Sequence, residues 1–303
     1  MRVKRGLRGA LKGVHTPFHT GLTRPQTRCY IPPATVKIIV CAKQVVDPET
    51  PVSAFKIDPQ LQRVTPSPGI PPVVNGFDEN ATEAALRIKD STDAHVTVLS
   101  VGHGFTDNGG GVAVMKKPLS MGADELVLVE DPALVDLDPF ASAYVLAQAI
   151  RHIGEIDLVL CGRQASDWDN AQVPLILAEM LGASCVTVAQ SVTVADGVAK
   201  VERVLPTGYE EMEADLPAVV TVSNELGEPR YPTLRGIMAA GKKKPVYLTP
   251  ADLGLDPEQL KPRLKLEDLF VPESDRRCDF IEGENEADSG RLLALKLRED
   301  GLI

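Results

Sequence analysis

The residues best placed to do chemistry in this chain lie in one segment, Cys161-Gly-Arg-Gln-Ala-Ser-Asp-Trp-Asp-Asn-Ala-Gln-Val173. It leaves the apolar run Asp157-Leu-Val-Leu-Cys161 and enters a helical pattern from about Ala171 to Leu181. At such a strand-to-helix junction the first N–H groups of the helix are unpaired and its dipole favours negative charge. That makes the junction a natural phosphate site. A local explanation competes with this one. Asp169 and Gln172 stand at capping-box spacing, which accounts for both without a ligand. The residues alone leave the two readings level.

Other segments carry less. Gly102-His-Gly-Phe-Thr-Asp-Asn-Gly-Gly-Gly111 is glycine-rich but fits neither the GxGxxG nor the GxxxxGK[ST] phosphate pattern. The first strand is followed by Lys43-Gln44 instead of glycines, which argues against a dinucleotide-binding dehydrogenase. There is no nucleophile elbow and no Ser/His/Asp, Cys/His or paired-carboxylate arrangement to defend. The five cysteines are dispersed without a CxxC pair, and of the five histidines only His15 and His19 are close together. Reduced thiols and no metal site are expected. One further segment, Gly227 to Lys244, combines two prolines, an exposed-looking Leu234 and a basic cluster on an acidic protein. It reads either as a solvated loop or as a docking element, because an apolar anchor beside positive charge suits an acidic partner surface.

These segments need a frame to hold them. Lys37-Ile-Ile-Val-Cys-Ala42, His95 to Val101, Glu125 to Val129 and Asp157 to Cys161 read as buried strands. Helical patterns follow from Asp78, up to about Met121, over Pro139 to Ile153, and from Ala171 to Leu181. Asp78 and Glu79 stand where a helix N-terminus favours acids. Strands alternating with helices predict βαβ units and a parallel sheet, with ligands beyond the carboxyl ends of the strands. The loops beginning at Lys43, Gly102, Glu130 and Gly162 are therefore the candidates. Segment 43–75 reads as a long loop containing a hairpin. After Cys185 come the short strand-like runs 186–189, 191–194, 199–203 and 218–222, with Asp196-Gly197 as a hairpin turn. The expected fold is α/β: a doubly wound (Rossmann-like), mostly parallel sheet with an antiparallel extension and a C-terminal arm. The domains expected are a leader, 1–35, a nucleotide-binding body, 36–249, and the arm, 250–303, ending in a helix from Glu286 to Leu297.

Charge narrows the function classes. The chain carries −10 overall, yet residues 1–35 hold seven Lys/Arg and no acid, so +7 there leaves −17 for the remainder. A body that acidic is a poor match for nucleic acid or an anionic membrane. No run reaches the roughly 18 to 20 apolar residues of a spanning helix. The leader reads as an organelle transit peptide, a disordered tail, or a mis-assigned start ahead of Val36; it lacks the apolar core of a secretory signal.

Taken together, the motifs resemble the electron-transfer flavoprotein beta family. They run in order: Val40-Cys-Ala-Lys-Gln-Val45, Asn75-Gly-Phe-Asp with Glu83-Ala-Ala-Leu-Arg-Ile-Lys89, Met121-Gly-Ala-Asp124, and Gly162-Arg-Gln followed by Asp167-Trp-Asp-Asn-Ala-Gln-Val173. Leu216-Pro-Ala-Val-Val-Thr221 and Glu228-Pro-Arg-Tyr-Pro-Thr-Leu234 complete the set. The similarity covers almost all of 36–303 and leaves out the leader.

The resemblance implies an electron carrier that works as a heterodimer with an alpha subunit holding most of the redox FAD. The beta chain would bind AMP or a second FAD through Cys41, Asn75, Gly76, Phe77, Asp78 and Val101. The loop Gly162, Arg163, Gln164, Ala165, Ser166, Asp167, Trp168, Asp169, Asn170, Ala171, Gln172 and Val173 would complete that pocket. Arg230, Tyr231, Leu234 and Arg235, with Lys242, Lys243 and Lys244, would dock a redox partner, an acyl-CoA dehydrogenase or an NADH-linked enzyme. Residues 250–303 would wrap the alpha subunit. Family members that hold AMP typically end the loop in Thr-Gly, whereas this chain has Val173-Pro174. Its Ala-Gln-Val ending is closer to the form frequent in electron-bifurcating relatives with FAD in the beta pocket, although Trp168 and Asn170 replace that form's Gly and Thr. The balance leans to FAD. The location implied is the bacterial cytoplasm, or the mitochondrial matrix if the leader is a transit peptide. The alternative from another class is a stand-alone ATP/AMP-binding sensor.

Overall fold

The computed structural model describes residues 2–4, 35–58, 60, 62–65, 70–105, 111–271 and 278–303. Most of the basic leader and residues 106–110 of the glycine-rich loop lie outside them. The chain divides into two compact units, one comprising residues 1–56 and 64–266, the other residues 57–63 and 267–303.

A short edge strand, β1 (Arg2–Lys4), precedes the first strand of the body, β2 (Val36–Cys41), and a two-residue strand, β3 (Gln44–Val45), follows it. Short strands β4 (Lys56–Asp58), β5 (Arg63–Thr65) and β6 (Val73–Val74) occupy the predicted long loop, where β3 pairs antiparallel with β6. The winding then proceeds through α1 (Gly76–Ser91), β7 (Ala94–Gly102), α2 (Gly111–Met115), α3 (Lys117–Met121), β8 (Glu125–Glu130), α4 (Pro139–Ile153), β9 (Leu158–Gly162) and α5 (Val173–Leu181). Four strands follow, β10 (Ser184–Ala195), β11 (Val198–Leu205), β12 (Gly208–Asp215) and β13 (Ala218–Val222). The first unit ends with α6 (Leu234–Lys242) and β14 (Val246–Leu248), and the second contains α7 (Glu286–Glu299).

The sheet has ten strands in the order β1-β12-β11-β10-β13-β9-β2-β7-β8-β14. From β10 to β14 all neighbours are parallel, while β11, β12 and β1 add on antiparallel. In the central strands, residues 38–41, Leu158–Gly162 and Ala218–Val222 are mostly apolar and buried on both faces, as a parallel sheet covered by helices requires. One core packs α1 and α3 against Ile38, Val40, Val98 and Leu160; the other packs α4 and α5 against Ile39, Leu99, Val159 and Cys161. The sheet is doubly wound, as the sequence indicates.

Several local details differ from expectation. The runs 186–189 and 191–194 form one strand, β10, with a bulge between Ala189 and Ser191. There it stops pairing with β13 and turns to β11. The strand β12 goes unpredicted because its acidic, mixed sequence, GYEEMEAD, offers little apolar signal. The helical stretch ending at Met121 splits at Lys116 into α2 and α3. At Asp196-Gly197 both residues have positive φ, 53° and 76°, matching the left-handed turn that joins a tight hairpin.

Helix α4 has the predicted bounds for a visible reason. Asp138 accepts a hydrogen bond from the Ala141 amide at 2.8 Å, Pro139 opens the first turn and Gly154 follows the last. Residues 250–266 belong to the same unit as the sheet: Leu253, Leu255 and Leu260 pack on the second core, and the Asp256 amide donates to the Tyr144 hydroxyl at 3.0 Å.

Candidate functional site

The first strand, β2, lies between β9 and β7, so the chain winds outward from it in both directions. The crevice outside the carboxyl ends of β2 and β9 is the topological switch point, where sheets of this kind bind ligands. The four candidate loops sort into two pairs around it. Those beginning at Lys43 and Gly162 meet there. Those beginning at Gly102 and Glu130 meet each other one strand away, where the Asp131 amide donates to the Gly102 carbonyl at 3.1 Å and the Phe105 amide donates to Glu130 at 3.0 Å.

Two side chains at the start of α1 knit the switch point together. The Asp78 carboxylate accepts from the Lys43 amide at 2.8 Å and from the Gly162 amide at 3.0 Å, and so ties the ends of β2 and β9 to one helical turn. The Asn75 side chain donates to the Gln164 carbonyl at 2.9 Å and accepts from the Ser166 amide at 3.2 Å. Its own amide donates to the Lys43 carbonyl at 2.9 Å. Both residues are buried. Burial pushes the Asp78 carboxyl up to about 7, against the pull of the Lys43 amide, Asn75, the Gly162 amide and the Lys43 charge. Asp78, placed by the sequence at a helix N-terminus, thus spends its carboxylate on neighbouring loops.

Gly162 is glycine because the helix approaches so closely. A β-carbon there would lie 2.4 Å from Asp78 Oδ1 and 2.7 Å from the Phe77 Cβ. The next residue, Arg163, stacks its guanidinium 4.7 Å from the centre of the Phe77 ring and donates to the Ser223 hydroxyl at 3.2 Å. Its Nε is buried with no hydrogen-bond partner among the described residues. Cys41 and Cys161, both buried, stand side by side in register at the ends of β2 and β9. The Cys41 thiol beside it, together with burial, pushes the Cys161 thiol far up, so Cys161 stays neutral.

The rest of the loop forms a rim. Asp167 pairs with the Lys43 ammonium at 2.6 Å, and Asp169 accepts from the Gln164 amide side chain at 2.8 Å. Ala165 accepts from the Trp168 and Asp169 amides, at 3.3 and 2.8 Å. Asp169 and Ala171 adopt left-handed backbone, φ 49° and 52°, which delays the helix to Val173. The capping box does not form: Asp169 is engaged with Gln164, and Gln172, at the N-cap, makes no side-chain capping bond. The N-terminus of α5 therefore keeps its unpaired amides, except at Pro174, which has none. Trp168, 54% exposed, and Asn170 stand on the outer rim. Val101, half-buried, lies on β7 opposite Val129. Sequence reasoning marked the loop that begins at Lys43 but did not assign Lys43 itself to the site; its signals were its position directly after the first strand of the body and its place in the motif at 40–45.

The second predicted cluster lies elsewhere on the same unit. Tyr231 and Leu234 are 93% and 75% exposed, and Ile237 and Met238 extend the same apolar surface along α6. Arg235, Lys242 and Lys244 are exposed. The other two cations are occupied. Arg230 pairs with Glu83 and Asp90, each at 2.7 Å, and Lys243 donates to the Ala123 and Asp124 carbonyls at 2.9 and 2.8 Å.

Known proteins with this sequence pattern were found over most of the chain. Residues 69–253 match the model of the electron transfer flavoprotein domain. The electron transfer flavoprotein subunit beta of Megasphaera elsdenii is 37% identical over 232 residues, 74% of this chain and 82% of that protein. A caffeyl-CoA reductase-Etf complex subunit, CarD, of Acetobacterium woodii is 34% identical over 272 residues, 88% of this chain and all of that protein. The beta subunit of Bacillus subtilis is 33% identical over 236 residues, 76% of this chain and 88% of that protein. The family match takes in Asn75, Asp78, the 162–173 loop and the exposed segment around Leu234, and with relatives 33–37% identical over most of their length the chain belongs to the electron transfer flavoprotein family as a beta subunit.

Proposed function

We propose that this beta subunit holds an adenine nucleotide at the switch point between β2 and β9 and carries electrons only as a heterodimer with an alpha subunit that contains the redox FAD. The observation that supports the reading best is the pair Asn75 and Asp78, which fix the loops after β2 and β9 beside a helix terminus without a side-chain cap. A nucleotide fits these residues. The uncapped amides of α5 suit a phosphate, and the buried, unpaired Nε of Arg163 is a donor in want of an acceptor. FAD, when bound, supplies the redox chemistry. The role assigned to this chain is to hold the phosphates through α5 and the 162–173 loop and to cover the ring system with the rim around Trp168.

Within that reading, FAD is favoured over AMP in the beta pocket. Val173-Pro174 offers no hydroxyl to a phosphate, and a relative matched along its whole length is named as part of a caffeyl-CoA reductase-Etf complex. Electrons would enter from an acyl-CoA dehydrogenase-type or NADH-linked enzyme docked at Tyr231 and Leu234. The reading assigns the protein to the bacterial cytoplasm, since the relatives are bacterial. Among the described residues no helix is long and apolar enough to cross a membrane.

The flavin-to-heterodimer ratio of the purified complex tests the proposal. Two FAD per heterodimer is the expected result, and one FAD with one AMP makes the protein a simple carrier. A lone monomer that purifies with ATP would overturn both in favour of a nucleotide sensor.

A further inference from the structure

The segment that presents Leu234 is strapped to the helix that builds the nucleotide site. Glu83, in the middle of α1, is 4% exposed, and its carboxylate takes the Arg230 Nε at 2.7 Å, the Arg230 amide at 3.1 Å and the Arg87 Nε at 2.9 Å. The other edge of the Arg230 guanidinium reaches Asp90 at 2.7 Å, about two helical turns further along α1. Two more bonds hold the approach to this point: Arg87 donates to the Leu226 carbonyl at 3.0 Å, and Asn80 donates to the Gly227 carbonyl at 2.9 Å. Beyond it the chain is fixed again. Thr233 caps α6 by accepting from the Gly236 amide at 3.0 Å, and Gly236 sits so close to α3 that a β-carbon there would lie 2.3 Å from the Ser120 carbonyl oxygen. Between these two anchors stand Tyr231 and Leu234, both exposed.

A buried carboxylate with two arginines is an inefficient source of stability, because desolvating the ions offsets most of their attraction. What such a cluster supplies is fixed geometry: a bidentate guanidinium has one orientation, and it fixes the backbone of its own residue. We propose that Glu83 is a positioning residue for partner docking, setting the height and direction of the Tyr231–Leu234 segment through Arg230. Arg230 is then a strap and not a partner-facing charge. The inference rests on the docking role of Leu234. It adds that α1 serves both sites, with its first turn on the nucleotide loops and Glu83 five residues on, about 7.5 Å along the axis.

The test uses the purified αβ heterodimer and the dehydrogenase that reduces the wild-type complex. It measures KM and kcat for that donor, nucleotide and flavin content, and amide exchange in residues 228–240. For Glu83→Gln the expected result is a rise in KM of about tenfold with kcat within about twofold, unchanged nucleotide content, and faster exchange around Tyr231. Asp90→Asn alters only the exposed end of the strap, so folding is not at issue; KM should rise in the same direction by a smaller factor. Leu234→Ala is the reference. Wild-type KM in both strap variants beside a raised KM for Leu234→Ala would overturn the positioning role alone. A parallel fall in kcat and nucleotide content would overturn it too, by making Glu83 a general structural residue. An unchanged KM for Leu234→Ala would remove the docking role and this inference with it.

Discussion

Asp78 Oδ1 accepts a hydrogen bond from the Gly162 amide at 3.0 Å, across 84 residues of sequence, and the same oxygen occupies the space a side chain at position 162 would need. One relationship thus explains both residues. The carboxylate needs an amide at short range, and only glycine lets α1 come close enough to provide it.

The first prediction concerns that fit. Gly162→Ala puts a methyl group 2.4 Å from Asp78 Oδ1 and 2.8 Å from the Phe77 backbone carbon, so backbone as well as side chain must move. Overpacking of this kind costs about 1–3 kcal/mol. Urea unfolding of the variant should show that loss, and nucleotide released by heating should fall below the wild-type amount. Wild-type values in both assays would contradict the close approach.

Titration of Asp78 gives a second. Its folded-state pKa, about 7, lies above the ordinary 3.8, so the folded protein holds this proton over a range in which the unfolded chain has lost it. The stability it contributes is therefore complete below about pH 4 and declines as pH rises toward 7. The difference in unfolding free energy between wild type and Asp78→Asn should shrink steadily over that interval. A difference that stays flat, or grows, would show that Asp78 is already ionised.

For Asn75 the expectation separates binding from folding. Asn75→Ala deletes the bonds to Gln164 and Ser166 and leaves the loop carbonyl and amide unpaired, at about 1–3 kcal/mol. The loop they hold carries the pocket, so nucleotide retention should fall further than the thermal midpoint. Isothermal titration with AMP and FAD beside a melting curve makes the comparison. An affinity equal to wild type would remove Asn75 from the site.

Leu234→Ala is expected to do the opposite. At 75% exposure the side chain contributes little to the fold, so unfolding should move by less than about 0.5 kcal/mol and flavin content should not change. Electron transfer from the donor dehydrogenase should slow, as stopped-flow flavin reduction would record. Unchanged rates would count against docking at α6.

The periodic parts of this protein are legible in its residues. Residues 38–41, Leu158–Gly162 and Ala218–Val222 are nearly continuous apolar runs because both faces of those strands are covered. Pro139–Ile153 shows its cap, its proline and its terminal glycine in plain order. The loop from Gly162 to Val173 stands out by composition. Where the pattern is polar or local signals conflict, the reading weakens. The acidic strand β12 is one case. The start of α5 is another, because Asp169 bonds to Gln164 instead of capping the helix.

What the sequence determined by itself is the inventory: an alternating α/β chain, a candidate phosphate loop and an exposed apolar segment, each written in contiguous residues. What only the tertiary structure decided is their company. Strand order puts β9 beside β2, and that alone brings Lys43, Asn75 and Asp78 together with a loop about ninety residues further on. The same order lays the Gly227–Thr233 segment on α1, so that Glu83 receives Arg230 from 147 residues away. Local periodicity reports which face of an element is buried, but not which element will cover it, because that choice is made by packing among segments distant in the chain.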